Sequence, residues 1–246
     1  MANGVVLWRG LSRIDGKTPV VCIMTGLENG SSNRKTGAML QTYIIREDMA
    51  PIDAVRDRTD GGICGGCVHR KQANGRRTCY VNVGQGPTSV YKAHGRGRYP
   101  AVTLEQASAA VRGRFVRFGT YGDPAAVPVE IWAALAGSAG GYTGYTHQWR
   151  APKFRALGAF LQASCETAAD VAKAHQLGYR GTFRVIPLGE EAPTGMLCPA
   201  SEEAGKVTQC FDCRACDGSR DVYIRAHGPS KAYYTGGRAL PVLAVA

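Results

Sequence analysis

No run of apolar residues in the 246-residue chain approaches the roughly 18 that a membrane-spanning helix needs. The opening, Met1 to Arg9, has no basic region ahead of an apolar stretch, so no secretory signal is expected. Together these favour a cytoplasmic protein without a membrane partner. There is no Gly-x-Ser-x-Gly elbow, no phosphate loop and no dinucleotide fingerprint, which removes the commonest hydrolase and nucleotide-fold signatures. No helix-turn-helix or zinc-finger spacing is present, so sequence-specific DNA reading is not indicated. Internal repeats and low-complexity tracts are also missing. Acid is scarce: 19 Asp+Glu face 30 Lys+Arg, a formal net charge of +11. A protein this basic usually meets an anion, and nucleic acid is the first candidate. Charged residues at 20% and apolar ones at 44% exclude global disorder.

Cysteine, by contrast, is plentiful. There are 9, and they cluster. In a reducing compartment such clusters bind metal or do chemistry more often than they form disulfides. Cys64, Cys67 and Cys79 form a C-x2-C-x11-C group. A C-x2-C pair on one tight turn lets both sulfurs reach one ion, and Gly61, Gly62, Gly65 and Gly66 let the backbone curl there. Arg70, Lys71, Arg76 and Arg77 nearby should favour the thiolates. No fourth ligand is obvious, His69 being the nearest candidate. Three cysteines with an open fourth position suit a [4Fe–4S] cluster or an incomplete zinc site. Cys198, Cys210, Cys213 and Cys216 form the second group, enough to close a site around Zn or a [4Fe–4S] cluster. The compressed C-x2-C-x2-C run leans towards iron, whereas His227 in place of one cysteine would favour zinc. Cys22, in an apolar strand, and Cys165, at an expected helix start, read as core residues.

Between the two groups the pattern is regular. Strands are expected at 19–24, 41–45, 115–119, 142–145, 160–163 and 182–186, and helices at 104–112, 125–136 and 167–177. Thr103 and Gln106 have the capping-box form at the first helix. Val171, Ala172 and His175 share one side of the last. Alternating strands and helices imply a parallel sheet with crossover helices. The fold class expected is α/β. It comprises a β-rich N-terminal region (1–60), an α/β core with the first cysteine cluster (61–190) and a C-terminal cysteine-rich metal-binding region (191–246).

Gly119, Thr120, Tyr121, Gly122 and Asp123, followed by Pro124, lie between a strand and a helix. Ligands of α/β sheets bind at such strand ends. Two glycines let backbone approach a ligand, and Asp123 could accept from an amino group. An ordinary turn with Asp123 as N-cap is the other reading. His147-Gln148-Trp149-Arg150 follows a strand end and either lines a pocket or packs as a loop. Glu202 and Glu203 could do acid–base work or stand solvated.

A cysteine trio ahead of a crossover helix, then a strand ending in Gly-x-x-Gly-Asp-Pro, resembles the radical S-adenosylmethionine enzymes. The resemblance implies a partial parallel (β/α) barrel. It makes Cys64, Cys67 and Cys79 ligands of a [4Fe–4S] cluster, and Gly119 to Asp123 the turn that binds S-adenosylmethionine. The second cysteine group would resemble the auxiliary-cluster regions some members carry. The layout of Asn33-x-Lys35-Thr36-Gly37, Cys79-Tyr80, Gly122-Asp123 and Tyr145-Thr146 is similar to a group of phage-encoded cysteine-rich proteins. That similarity implies a viral protein acting in a bacterial host cytoplasm.

Residues 61–122 hold Arg70, Lys71, Arg76, Arg77, Lys92, Arg96, Arg98, Arg112, Arg114 and Arg117 against the single acid Glu105. Tyr80, Tyr91 and Tyr99 are interleaved. Basic side chains neutralise phosphates and tyrosines stack on unpaired bases, so nucleic acid is the expected partner, with Arg70, Lys71, Arg76, Arg77, Lys92, Arg96 and Arg98 as its contacts. A solvated face is the plainer reading. Three functions stay open: an iron–sulfur enzyme acting on nucleic acid or a nucleotide; a zinc-containing barrel that modifies or exchanges a base through Asp123 as acid, base or nucleophile; and a non-enzymatic, metal-stabilised nucleic-acid-binding protein.

Overall fold

The computed structural model describes residues 2–30, 35–191, 193, 195–205, 208–228 and 230–236. Asn33 of the motif above lies outside the described residues, as does the chain from 237 onward. Three strands open the fold: β1 (Gly4–Leu11), β2 (Pro19–Thr25) and β3 (Leu40–Arg46). Two short helices follow, α1 (Pro51–Arg56) and α2 (Gly61–Cys64), then α3 (Gly86–Gly95) and α4 (Leu104–Val111). The regular part continues with β4 (Phe115–Tyr121), α5 (Val129–Ser138), β5 (Gly141–Thr146), β6 (Gln162–Cys165), α6 (Ala168–Gln176) and β7 (Thr182–Ile186). Last come β8 (Met196–Leu197), α7 (Cys210–Cys213) and β9 (Val222–Arg225).

Among the described residues the nine strands join one sheet in the order β1-β2-β3-β4-β5-β6-β7-β9-β8. β1, β2 and β3 pair antiparallel, and every pairing from β3 to β8 is parallel. The α/β class and the parallel run are therefore as expected. The sheet is open, with β1 and β8 at its ends, and does not close into a barrel. All three segments divided by sequence contribute strands to it. Among the described residues no helix is long and apolar enough to cross a membrane.

β2 is almost wholly buried because both of its faces are covered, which is why its sequence is a continuous apolar run. Cys22 and Cys165 lie in the core, as expected, although Cys165 ends β6 and does not start a helix. Thr103 and Thr167 each close a capping box, with Gln106 and Asp170. Four readings change. β4 runs on through Gly119 to Tyr121, so only Gly122 and Asp123 form the turn. The helix expected from 125 is a 3-10 turn at Pro124–Ala126, held by the Asp123 cap, and then α5. On α6 the buried residue is Ala174, while Ala172 and His175 face outward, because the sheet meets the helix one residue further round. The glycine-bearing stretch after Cys79 contains α3, which has Pro87 in its first turn and ends with Lys92 and His94 near its last carbonyls.

Candidate functional site

The first cysteine group is built on a loop that β3 feeds. Cys64 closes α2, and Gly65 reverses the chain with φ 54°. A side chain there would collide with Gln148, 2.4 Å from the position of a Cβ. The Cys67 amide then donates to the Cys64 carbonyl (3.2 Å), closing a tight turn between the two cysteines. Arg70 clasps the loop: it pairs with Asp60 (2.7 Å) and donates to the carbonyls of Gly65 (3.0 Å) and Arg58 (3.1 Å). The long spacer before Cys79 is a closed excursion. The Gln72 amide donates to Arg76 (2.7 Å), Gly75 turns at φ 79°, and the Cys79 amide donates to the His69 carbonyl (2.9 Å). Eleven residues of sequence thus place Cys79 beside His69, two residues from Cys67. All three thiols line one cavity of about 980 Å3, open mouth included.

The end of β4 meets that cavity. The Asp123 amide donates to the Ile63 carbonyl (2.6 Å), tying the turn to the cysteine loop. Its carboxylate faces inward. One oxygen accepts from Thr146 Oγ1 (2.7 Å) and the Ala125 amide (3.0 Å), the other from the His147 amide (2.8 Å) and Gln148 Nε2 (3.3 Å). Burial raises its pKa while those four donors pull it down, with a net rise. Gly122, with φ 81°, sits where a Cβ would lie 2.5 Å from the Ile44 carbonyl oxygen. Its glycine is demanded by packing on β3, not by a ligand. The Gly119 amide and the Thr120 hydroxyl are also engaged with β3, through Thr42 (2.9 Å) and Gln41 (2.7 Å). Of the five residues expected to bind cofactor, Tyr121 alone has a buried polar atom, its hydroxyl, without a partner among the described residues.

Further groups complete the wall. His147 Nε2 lies 3.0 Å from Ser164 Oγ and 3.5 Å from Cys67 Sγ. Burial, with His69 and Arg150 near, lowers its pKa to about 3, so the ring is neutral. Burial likewise lowers His69 to about 4. Tyr145 stacks on Phe183 at 4.7 Å between ring centres. Behind His147 the buried Glu166 is pushed up to about 7 by burial, against the pull of Arg150. The rest of the 147–150 loop is structural: Trp149 is fully buried, and Arg150 lies over its ring and pairs with Asp170 (2.6 Å). Sequence reading missed Ser164, Phe183 and Tyr234, all on the cavity wall. Only a register for β6 and β7 would have pointed to the first two.

The thiolates are not favoured in the way the flanking cations suggested. Burial pushes the Cys64 and Cys67 thiols well above their ordinary range, with Asp60 and Cys79 adding to it at Cys64. The cations are engaged elsewhere: Lys71 with the Arg56 carbonyl (3.0 Å), Arg77 with the carbonyls of Cys79 and Val81 (3.0 and 3.1 Å), Arg76 over the Tyr233 ring.

Cys198, Cys210, Cys213 and Cys216 line a second cavity of about 590 Å3, open space included, against the far side of Tyr80, Tyr145, Phe183 and His227. Each cysteine segment is tied to the frame. The Cys198 amide donates to the Tyr223 carbonyl (2.7 Å), the Cys210 amide to the Lys35 carbonyl (2.7 Å), and the Cys216 carbonyl accepts from the Gly144 amide (3.1 Å). Among the described residues, however, no group of three or more His, Cys, Asp or Glu side chains forms a shell that could hold a metal ion as it stands. Glu203 is exposed on a 3-10 turn.

The basic stretch divides. Arg70, Lys71 and Arg77 brace the first loop, Arg114 holds the carbonyls of Gly26 and Leu27 (2.7 and 3.1 Å), and Arg117 turns into the second cavity. Arg76, Lys92, Arg96 and Arg98 are exposed. Comparison with protein-family models, with curated proteins and with solved structures found no match.

Proposed function

We propose that this chain is an iron–sulfur enzyme of the radical S-adenosylmethionine kind, acting on a nucleic acid or a nucleotide, with its open parallel run serving as a partial (β/α) barrel. The observation that carries the reading is the convergence of Cys64, Cys67 and Cys79 with the end of β4 on one cavity beside the parallel strands. The donor set fits such a group. Cys64, Cys67 and Cys79 line one cavity, and three cysteine ligands are the number that holds a [4Fe–4S] cluster with one position open. The buried, unpartnered Tyr121 hydroxyl lines the same space and is a polar group in want of a ligand. Held by Cys64, Cys67 and Cys79, a [4Fe–4S] cluster would supply one-electron chemistry.

The chain's own residues have separate tasks. Cys64, Cys67 and Cys79 hold the group as thiolates, which the raised pKa values of Cys64 and Cys67 make dependent on metal to form. Asp123 is a positioning residue, joining the cysteine loop, the β4 end and the β5 end. That role weighs against the zinc enzyme in which Asp123 acts as acid, base or nucleophile, since four hydrogen bonds already occupy its carboxylate. Neutral His147, beside Ser164, offers one polar contact to a ligand without adding charge. Tyr145 on Phe183 closes one side against water. The exposed Lys92, Arg96 and Arg98 support the nucleic-acid partner.

Protein purified without oxygen should be brown and contain iron and acid-labile sulfide. Replacing Cys64, Cys67 and Cys79 with Ser together should remove one cluster's worth of iron. Colourless protein with zinc at these cysteines would overturn the reading.

A further inference from the structure

The second cavity has a charge problem that its cysteines can solve. Arg117 projects into it from the middle of β4, yet it has no carboxylate partner among the described residues. Its Nη2 donates to two neutral hydroxyls, Tyr80 at 3.0 Å and Tyr145 at 3.2 Å, and these hydroxyls also bond to each other. The guanidinium lies close enough to Cys210 and Cys216 to interact with them electrostatically. Arg214 lines the same cavity, and among the described residues no Asp or Glu does. A partly buried cation without an anion is costly. The Thr143 hydroxyl, buried on this wall, has no partner among the described residues.

We infer that the second cavity is a metal–tetrathiolate centre ligated by Cys198, Cys210, Cys213 and Cys216, with Arg117 as its resident counter-cation. Four thiolates around Zn(II) or around a doubly charged four-iron core leave surplus negative charge. Arg117 neutralises part of it and is neutralised in turn. Metal entry displaces the thiol protons to solvent. Tyr80 and Tyr145, which hold Arg117 in place, line the first cavity too, so the counter-ion is fixed by the wall that the two cavities share. The inference stands apart from the reading of the first cavity and does not need a cluster there.

The test uses the whole chain, purified anaerobically, with Cys64, Cys67 and Cys79 replaced by Ser so that the second centre is measured alone. Metal and sulfide are counted, then release to a chelator is timed. The expected result is retained metal, lost when Cys210 and Cys213 are also replaced. Arg117→Gln should release it about tenfold faster, the size of one charge-assisted contact, and Arg117→Lys should restore most of the retention. Zinc without sulfide identifies a single ion and iron with sulfide a cluster; either supports the inference. Loss of all metal in the triple-Ser protein overturns it and leaves the first-cavity reading intact. Full retention of the wild-type metal there sinks the first-cavity reading and leaves this one standing. Unchanged release from Arg117→Gln removes the counter-ion role. Should that variant not fold, Arg117→Lys decides: release near the wild-type rate supports the role, and release as fast as from Cys213→Ser overturns it.

Discussion

Glu166 gives this molecule a pH response close to neutrality. It is 4% exposed, and its folded pKa is pushed from 4.5 to about 7, chiefly by burial. A carboxyl whose folded pKa is raised binds its proton more tightly in the folded state than in the unfolded one. Stability is therefore greatest below the unfolded value and is lost as pH rises through about 7. Glu166→Gln keeps the shape and removes the buried charge. It should raise stability at pH 8 by about 3 kcal/mol, since each tenfold change in proton affinity is worth roughly 1.4 kcal/mol, and change it little below pH 4.5. Arg150 keeps its pairing with Asp170 in that variant, so no cation is stranded. Denaturant melts at both pH values check this; equal effects at both would remove the assignment.

At the scale of elements, the spacer between Cys67 and Cys79 matters for where it returns, not for its length. Its ends are fixed by the Cys79 amide on the His69 carbonyl, and its middle is a turn at Gly75. Replacing Gln72–Arg76 with an Asn-Gly turn should leave the metal content of the first cavity unchanged. Breaking the return by deleting Thr78, whose hydroxyl lies 2.9 Å from His69 Nδ1, should lower it severalfold, read as iron per chain. This spacer also shows what sequence could carry. The cysteine spacing and the strand before Asp123 were legible, because a C-x2-C turn and a buried strand have local signatures. The return of Cys79 to His69 was not, since it depends on a backbone bond across ten residues. The capping box at Thr103 was readable for the same local reason. β8 and β9 were not, because Met196–Leu197 is too short for periodicity and Val222–Arg225 alternates with a tyrosine and an arginine whose faces only the sheet order decides. Gly122 looked like a place for ligand approach, and only the neighbouring Ile44 reveals it as packing.

For the whole molecule, the net charge of +11 overstates what a partner would meet. Arg70, Arg77, Arg114 and Arg117 direct their guanidinium groups at the fold's own carbonyls, hydroxyls or Asp60. Lys92, Arg96 and Arg98, at the end of α3 and just beyond it, are exposed and are the cations that the proposed polyanion would meet. Counterion release makes such binding fall with salt, by about 0.7 in the log–log slope for each single-strand phosphate neutralised. Replacing Arg96 and Arg98 with Gln should therefore weaken binding to a single-stranded oligonucleotide and flatten the salt slope by about 1.4, twice that per-contact value. Metal content should not change, since neither residue lines either cavity. Replacing Arg77 would be a poor test of the same surface, because its loss frees the Cys79 and Val81 carbonyls and disturbs the cysteine loop directly. A slope unaltered by the Arg96 and Arg98 changes would take the nucleic acid away from this face, and a chain that binds no oligonucleotide at low salt would leave a free nucleotide as the substrate to pursue.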